Sequence, residues 1–143
     1  MTPMPELTTD VRALFEGPNY AHVATLMPDG SPHSVAVWVG IEDERIAFFT
    51  QKGSRKARNL ERDPRLAISI TDHVNPYRTA RVRGRVVETR TGDEALRVMD
   101  LISQRYTGRE FPVRGPDGVL FLIEAEHVGF MELPFEHQPG SPS

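Results

Sequence analysis

Three consecutive residues, Ser54-Arg55-Lys56, could do chemistry together, because they follow the strand-like run Arg45 to Phe49 and open a short basic segment. Ser54 suits a helix N-cap, since its hydroxyl can accept from a backbone N–H that the first turn leaves unpaired. Free N–H groups, the positive end of the helix dipole and the two side-chain cations make a ready anion site there. Pro64 ends the helix and pushes Asp63 out of the helical region, so the element has barely three turns. A strand, a sharp turn and a basic helix whose first turn is exposed describe a pocket for a phosphorylated ligand. A solvated basic helix between two strands is the plainer alternative, since charge runs usually face water.

Other reactive side chains form no constellation. His22, His33, His73, His127 and His137 are scattered without metal-ligand spacing. The absence of cysteine excludes disulfides, thiolate metal sites and cysteine nucleophiles. Ser54 has no histidine or acid nearby in sequence to activate it as a nucleophile. Trp38, at a strand end, reads as core on general grounds, and Gly84 in mid-strand marks a bulge or a close backbone approach. Chemistry is therefore expected from a bound group rather than from side chains.

The charge distribution agrees. Between Lys52 and Arg90 there are 11 Lys or Arg residues against four acids, a surplus of +7, while the remainder holds 6 basic and 16 acidic residues, or −10. That asymmetry points to an anionic ligand at the middle of the chain. An overall charge of −3 argues against a nucleic-acid binder and suits a small polyanion better. No apolar run is long enough to cross a membrane, and Met1 to Glu6 lacks the regions of a signal peptide, so the expected location is cytoplasmic. A length of 143 residues suits one domain, residues 1–143, with about 1–5 and 138–143 expected to be flexible. A hydrophobic content of 38% leaves room for a second subunit to complete the apolar surface.

The elements that must position Ser54 to Lys56 are mostly strands. Leu7 to Phe15 reads as an amphipathic helix capped by Thr8 or Thr9. Tyr20–Leu26, Pro32–Gly40, Arg45–Phe49, Leu66–Ile70, Thr79–Glu88 and Val119 to about Met131 read as six strands joined by polar turns. In the fifth, Arg81, Arg83 and Arg85 alternate with Val82, Gly84 and Val86, giving one basic and one apolar face. A helix from Thr91 to about Tyr106 carries Leu96, Met99 and Leu101 or Ile102 near helical spacing. Six strands in this order form no alternating βαβ series. The consistent fold is mainly β, an antiparallel barrel with peripheral helices over its openings.

The order Pro-Asp-Gly turn, Pro32-His33, Val37-Trp38, Thr50, Ser54, Lys56-Ala57, Asn59-Leu60 and Asp63-Pro64-Arg65 resembles the pyridoxamine 5′-phosphate oxidase-like split-barrel family. Leu66 to Ile70, Val82-Arg83-Gly84 and Gln104 to Gly108 extend the likeness over nearly the whole chain. In length and wording it is similar to the actinobacterial flavin and deazaflavin oxidoreductase branch. The resemblance implies a six-stranded split barrel of the FMN-binding type. It also implies a homodimer with the cofactor at the subunit interface.

The resemblance places the cofactor phosphate at Ser54, Arg55 and Lys56, with Asn59 in the same helix. Thr50 and Gln51 would lie along the phosphate or ribityl chain. Ala24, Thr25 and Leu26 would border the ring on one side, and His33, Ser34, Val35, Ala36, Val37 and Trp38 would line the other. Tyr77, Arg78 or Tyr106 could reach the partner's site. Because F-420 carries a phosphodiester and an oligoglutamate chain, it needs a longer positive groove than FMN. The surplus of +7 favours F-420 over FMN. The expected activity is hydride transfer from reduced F-420 to a small activated acceptor, with the cofactor carrying the chemistry. The alternatives are an FMN-dependent oxidoreductase of the same fold, or a non-catalytic binder of flavin, F-420 or haem. Pyridoxamine phosphate oxidation is not expected, because this sequence stops short of that enzyme's usual length and does not show its C-terminal substrate motif.

Overall fold

Alternation sets the first strand: Ala21, Val23 and Thr25 are buried while His22 is exposed, so one face turns into a core and the other does not. The computed structural model describes residues 6–138; the termini expected to be flexible lie, except for Gln138, outside the described residues. Among the described residues the elements run α1 (Thr9–Glu16), β1 (Ala21–Leu26), β2 (Pro32–Val37), β3 (Val39–Glu42), β4 (Arg45–Gln51) and α2 (Arg55–Arg62). They continue with β5 (Arg65–Thr71), β6 (Arg78–Arg90), α3 (Gly92–Thr107) and β7 (Gly118–Glu132). Thr8 caps α1, its hydroxyl accepting from the Val11 N–H at 3.4 Å.

All strands join one antiparallel sheet in the order β2-β1-β5-β6-β7-β4-β3. Its two edge strands, β2 and β3, are separated in the chain by Trp38 alone. Val37 pairs with Ala21 of β1, whereas Val39 pairs with Phe48 of β4. The sheet's two edges therefore meet at Trp38, and the sheet rolls into a barrel. The sequence pattern suggests one straight strand over Pro32–Gly40. In the structure that strand bends, because its two halves serve opposite edges, and six expected strands become seven assigned ones. The mainly β split barrel itself stands.

Two cores hold it together. Inside the barrel, Val11, Leu14 and Phe15 of α1 and Ala57 and Leu60 of α2 pack with strand residues such as Val23, Phe48, Ile68 and Phe121. Outside, α3 lies on β4 and β7, where Val98, Met99 and Ile102 meet Ala47, Leu120 and Leu122. Ile102 faces this second core and Leu101 faces away, half exposed. The bulge expected at Gly84 is present as a register shift between Arg83 and Gly84, and a Cβ there would overlap the Glu124 carbonyl. α3 covers only part of the barrel's outer surface. Among the described residues, no helix lies over the outward face of β1, β2, β5 and β6.

Candidate functional site

The turn that launches α2 is fastened at both sides. The Lys52 N–H donates to the Asp117 carbonyl at 2.7 Å, and the Ser54 N–H donates to the Gln51 carbonyl at 3.2 Å. Ser54 caps the helix as its sequence suggests, its Oγ accepting from the Ala57 N–H at 3.2 Å. The same oxygen accepts from the Thr50 hydroxyl at 3.0 Å. With both acceptor positions used, the Ser54 proton is left to donate outward. The first-turn N–H groups of Arg55 and Lys56 precede the capped one and have no intrahelical acceptor. Ser54 and the unpaired N–H groups of Arg55 and Lys56 lie together at the α2 N-terminus, with Thr50 hydrogen-bonded behind Ser54, and such donors suit a phosphate.

Lys56 is placed differently from its expected exposed position. It is half-buried, lining a slot of about 240 Å3 with Tyr20, Ala36, Val37, Trp38, Phe49 and Phe111. Burial lowers its ammonium pKa below the usual lysine value. Among the described residues no carboxylate pairs with it. A cation in an aromatic slot with no counter-charge is electrostatically incomplete.

The walls of the slot are set by Trp38. Its ring stacks on Tyr106 with centroids 5.1 Å apart and an interplanar angle of 9°, and meets Phe49 and Phe111 edge-on at 6.4 Å. The Tyr106 hydroxyl donates to the Asn19 carbonyl at 2.5 Å and accepts from the Val39 N–H at 3.1 Å. Tyr106 therefore clamps the bend between β2 and β3. Burial raises its pKa, so it stays protonated and committed.

The remaining sequence candidates divide by which way they point. Ser34 and Ala24 are cross-strand partners on the uncovered outer face, and Ala36 sits at the slot. Val35 and Val37 turn toward the interior core. Thr25 is 2% exposed and Asn59 is fully buried, with the Asn59 amide donating to the Thr25 hydroxyl at 3.0 Å. Their side chains pin α2 to β1. Leu26 is partly exposed, and its carbonyl accepts from Arg62. Gln51 supplies the backbone acceptor for the turn. His33 is partly buried, with an Nδ1 that has no partner among the described residues.

Tyr77 and Arg78 do not join the α2 group. Tyr77 packs edge-on against Phe135 at 5.4 Å. Arg78 is drawn into ion pairs with Glu132 at 3.2 Å, Asp10 at 3.4 Å and Asp72 at 3.8 Å. Sequence reasoning did not find Tyr20, Phe49 and Phe111 as slot walls. Phe111 belongs to an unpatterned loop after α3, so no periodicity signals it.

Residues 7–132 match the pyridoxamine 5′-phosphate oxidase family. A pyridoxine/pyridoxamine 5′-phosphate oxidase of Cupriavidus taiwanensis is 38% identical over 77 residues, which are 53% of this chain and 36% of that protein. The matched part thus spans about a third of that relative's length. A solved structure described as an F420 reductase superposes with a TM-score of 0.73 at 30% identity, covering 90% of this chain and 98% of the other. An FMN-binding, pyridoxamine 5′-phosphate oxidase-related protein of Nostoc punctiforme shares the fold, with a TM-score of 0.65 at 18% identity, covering 83% and 76%.

Proposed function

We propose that this chain, which belongs to the pyridoxamine 5′-phosphate oxidase family, is an oxidoreductase that binds the deazaflavin coenzyme F-420 and passes its hydride to a small activated acceptor. One observation carries the choice of cofactor. Among the described residues, Lys52, Arg55, Lys56 and Arg58 around α2 and Arg81, Arg83 and Arg85 along β6 have no carboxylate partner. Their spread over two elements suits an anion longer than one phosphate. The 30% identity to a structure described as an F420 reductase supports the same reading.

The chain's own contribution is binding and exclusion of water. Ser54, Arg55 and Lys56 would hold the phosphate, with Thr50 orienting the Ser54 hydroxyl. Trp38, Tyr20, Phe49 and Phe111 give the slot flat apolar walls, which limit water beside the ligand. When bound, the cofactor supplies the hydride. Tyr106 spends its proton on the Asn19 carbonyl, so its hydroxyl is committed within the fold.

An FMN-dependent oxidoreductase is the second reading, favoured by the compactness of the α2 site, which a single phosphate would fill. Titration of the purified protein with F-420 and with FMN separates the two. F-420 is expected to bind more tightly, with an affinity that falls as salt is added. Equal or tighter FMN binding in the same buffer would reverse the assignment.

A further inference from the structure

Trp38 is the single tryptophan of a chain without cysteine, so its indole is the side chain that gives up one electron most readily. It lines the Lys56 slot, and a series of rings leads away from it. Tyr106 stacks on Trp38 at 5.1 Å with the planes 9° apart, and Tyr20 meets Tyr106 edge-on at 5.7 Å. The series ends in solvent, because Tyr20 is 57% exposed. The other rings that Trp38 meets among the described residues, Phe49 and Phe111, carry no hydroxyl and are far harder to oxidise. An electron vacancy, or hole, created on Trp38 therefore has one direction in which to move.

The hydroxyl groups decide where that hole comes to rest. A phenol keeps a hole only if its proton leaves, because the phenol radical cation is a strong acid. The Tyr106 hydroxyl donates to the Asn19 carbonyl and accepts from the Val39 N–H, and neither partner is a base. Tyr20 stands open to water, which takes the proton. We propose that Trp38, Tyr106 and Tyr20 form a hole-transfer chain that drains one-electron oxidation from the slot to the surface, a function apart from hydride transfer. The oxidant is an oxygen-derived radical, which gains one electron from the Trp38 indole. Tyr20 then returns an electron to Trp38 across the Tyr106 ring and releases its phenol proton to water. The indole ends as it began, with any proton lost from Nε1 regained from water. The oxidant is reduced by one electron, and the hole stands on Tyr20 as a neutral phenoxyl radical. A thiol or an ascorbate-class reductant in solution supplies the hydrogen atom that restores the phenol. The transfer uses this chain's rings alone, whereas its value, sparing the slot wall from permanent oxidation, rests on the redox reading above.

The test is pulse radiolysis of the ligand-free protein with the azide radical, which oxidises indole in preference to phenol and becomes azide. In the parent, the tryptophan radical should decay while phenoxyl absorbance grows at the same first-order rate, whatever the protein concentration. Tyr20→Phe keeps the ring and its edge contact, so circular dichroism should match the parent while the phenoxyl growth is lost. Tyr77→Phe should behave as the parent, because Tyr77 packs on Phe135, outside the series. A phenoxyl signal that survives Tyr20→Phe, or a growth rate that scales with protein concentration, overturns the chain and leaves the three rings as packing alone. Protection is read separately. After continuous radiolysis, mass spectrometry should find more oxidised Trp38 in Tyr20→Phe than in the parent, and equal damage overturns the protective role. Neither measurement contains a cofactor, so a failed F-420 or FMN titration would strike the redox reading and leave the transfer result as it stands.

Discussion

Lys56 is a cation held where burial disfavours its charge. It shares the slot with Trp38, Phe49 and Phe111, and burial desolvates its ammonium, with no carboxylate partner among the described residues. On the proposed reading, an arriving phosphate would restore what burial removed. Lys56→Met keeps the apolar stem and deletes the charge. Its melting temperature should equal or exceed the parent's, while the cofactor dissociation constant rises roughly tenfold to hundredfold, the loss of a charge-assisted contact of about 1.5–3 kcal/mol. The pH dependence carries a definite sign. Because the folded-state pKa lies below 10.5, the unfolded chain binds more protons between the two values. Stability of the ligand-free parent should therefore rise with pH across that window. Lys56→Met should lack this rise in thermal melts, and unaltered ligand affinity would place the anion site elsewhere. The position of Lys56 in the first turn was readable from Ser54 and Pro64. Its burial was not, because Tyr20 and Phe111 reach it from distant parts of the chain.

Among the elements, the bent strand through Trp38 decides whether the sheet closes. One aromatic stack and two hydrogen bonds to a single hydroxyl hold that bend. Tyr106→Phe preserves the stack and removes both bonds. It leaves the Val39 N–H unpaired in a buried setting, which costs about 1–3 kcal/mol. Urea unfolding should show that loss, and hydrogen exchange should quicken at Val39 ahead of the other β3 amides. A Tyr106→Phe protein as stable as the parent would mean that packing alone fixes the bend. The strands, turns and helix ends were legible because alternation and caps are local signals. The Ser54 cap appeared where its residue type put it, and the arginine face of β6 alternates as written. The bend had no such signal, since Pro32 to Gly40 reads as one continuous apolar strand. Its cause is long-range: β1 claims Val37 while β4 claims Val39. Thr25 and Asn59 mark the same limit, since the buried hydrogen bond that joins helix to sheet through them has no local signal.

At the scale of the whole molecule, the basic middle of the chain is smaller than its formal surplus, because folding pairs part of it. Arg65 meets Asp63, Arg78 meets three carboxylates, and Arg90 meets Glu42, Asp43 and Glu88. Among the described residues, what stays unpaired there lies on α2, in the turn before it and on the outer face of β6. The apolar surface is uneven as well. Val74, Met131, Leu133 and Phe135 are between 41% and 68% exposed, and they gather where the end of β7 meets the Asp72–Tyr77 loop. The Leu133 N–H donates to the Tyr77 carbonyl at 3.1 Å and the Phe135 ring packs on Tyr77, so the patch is ordered. Exposed apolar side chains gathered in this way mark a candidate interaction surface. A second copy of the chain is the expected occupant, which would bring Tyr77 to the subunit boundary. Light scattering at micromolar concentration should then give twice the 16.1 kDa chain mass, with an interface of roughly 2,000 Å2 or more. Leu133→Asp combined with Phe135→Asp should halve that mass and leave the barrel folded by circular dichroism, because neither residue belongs to either core. If the parent is already monomeric, or the double variant keeps the dimer mass, the subunits do not meet through this patch.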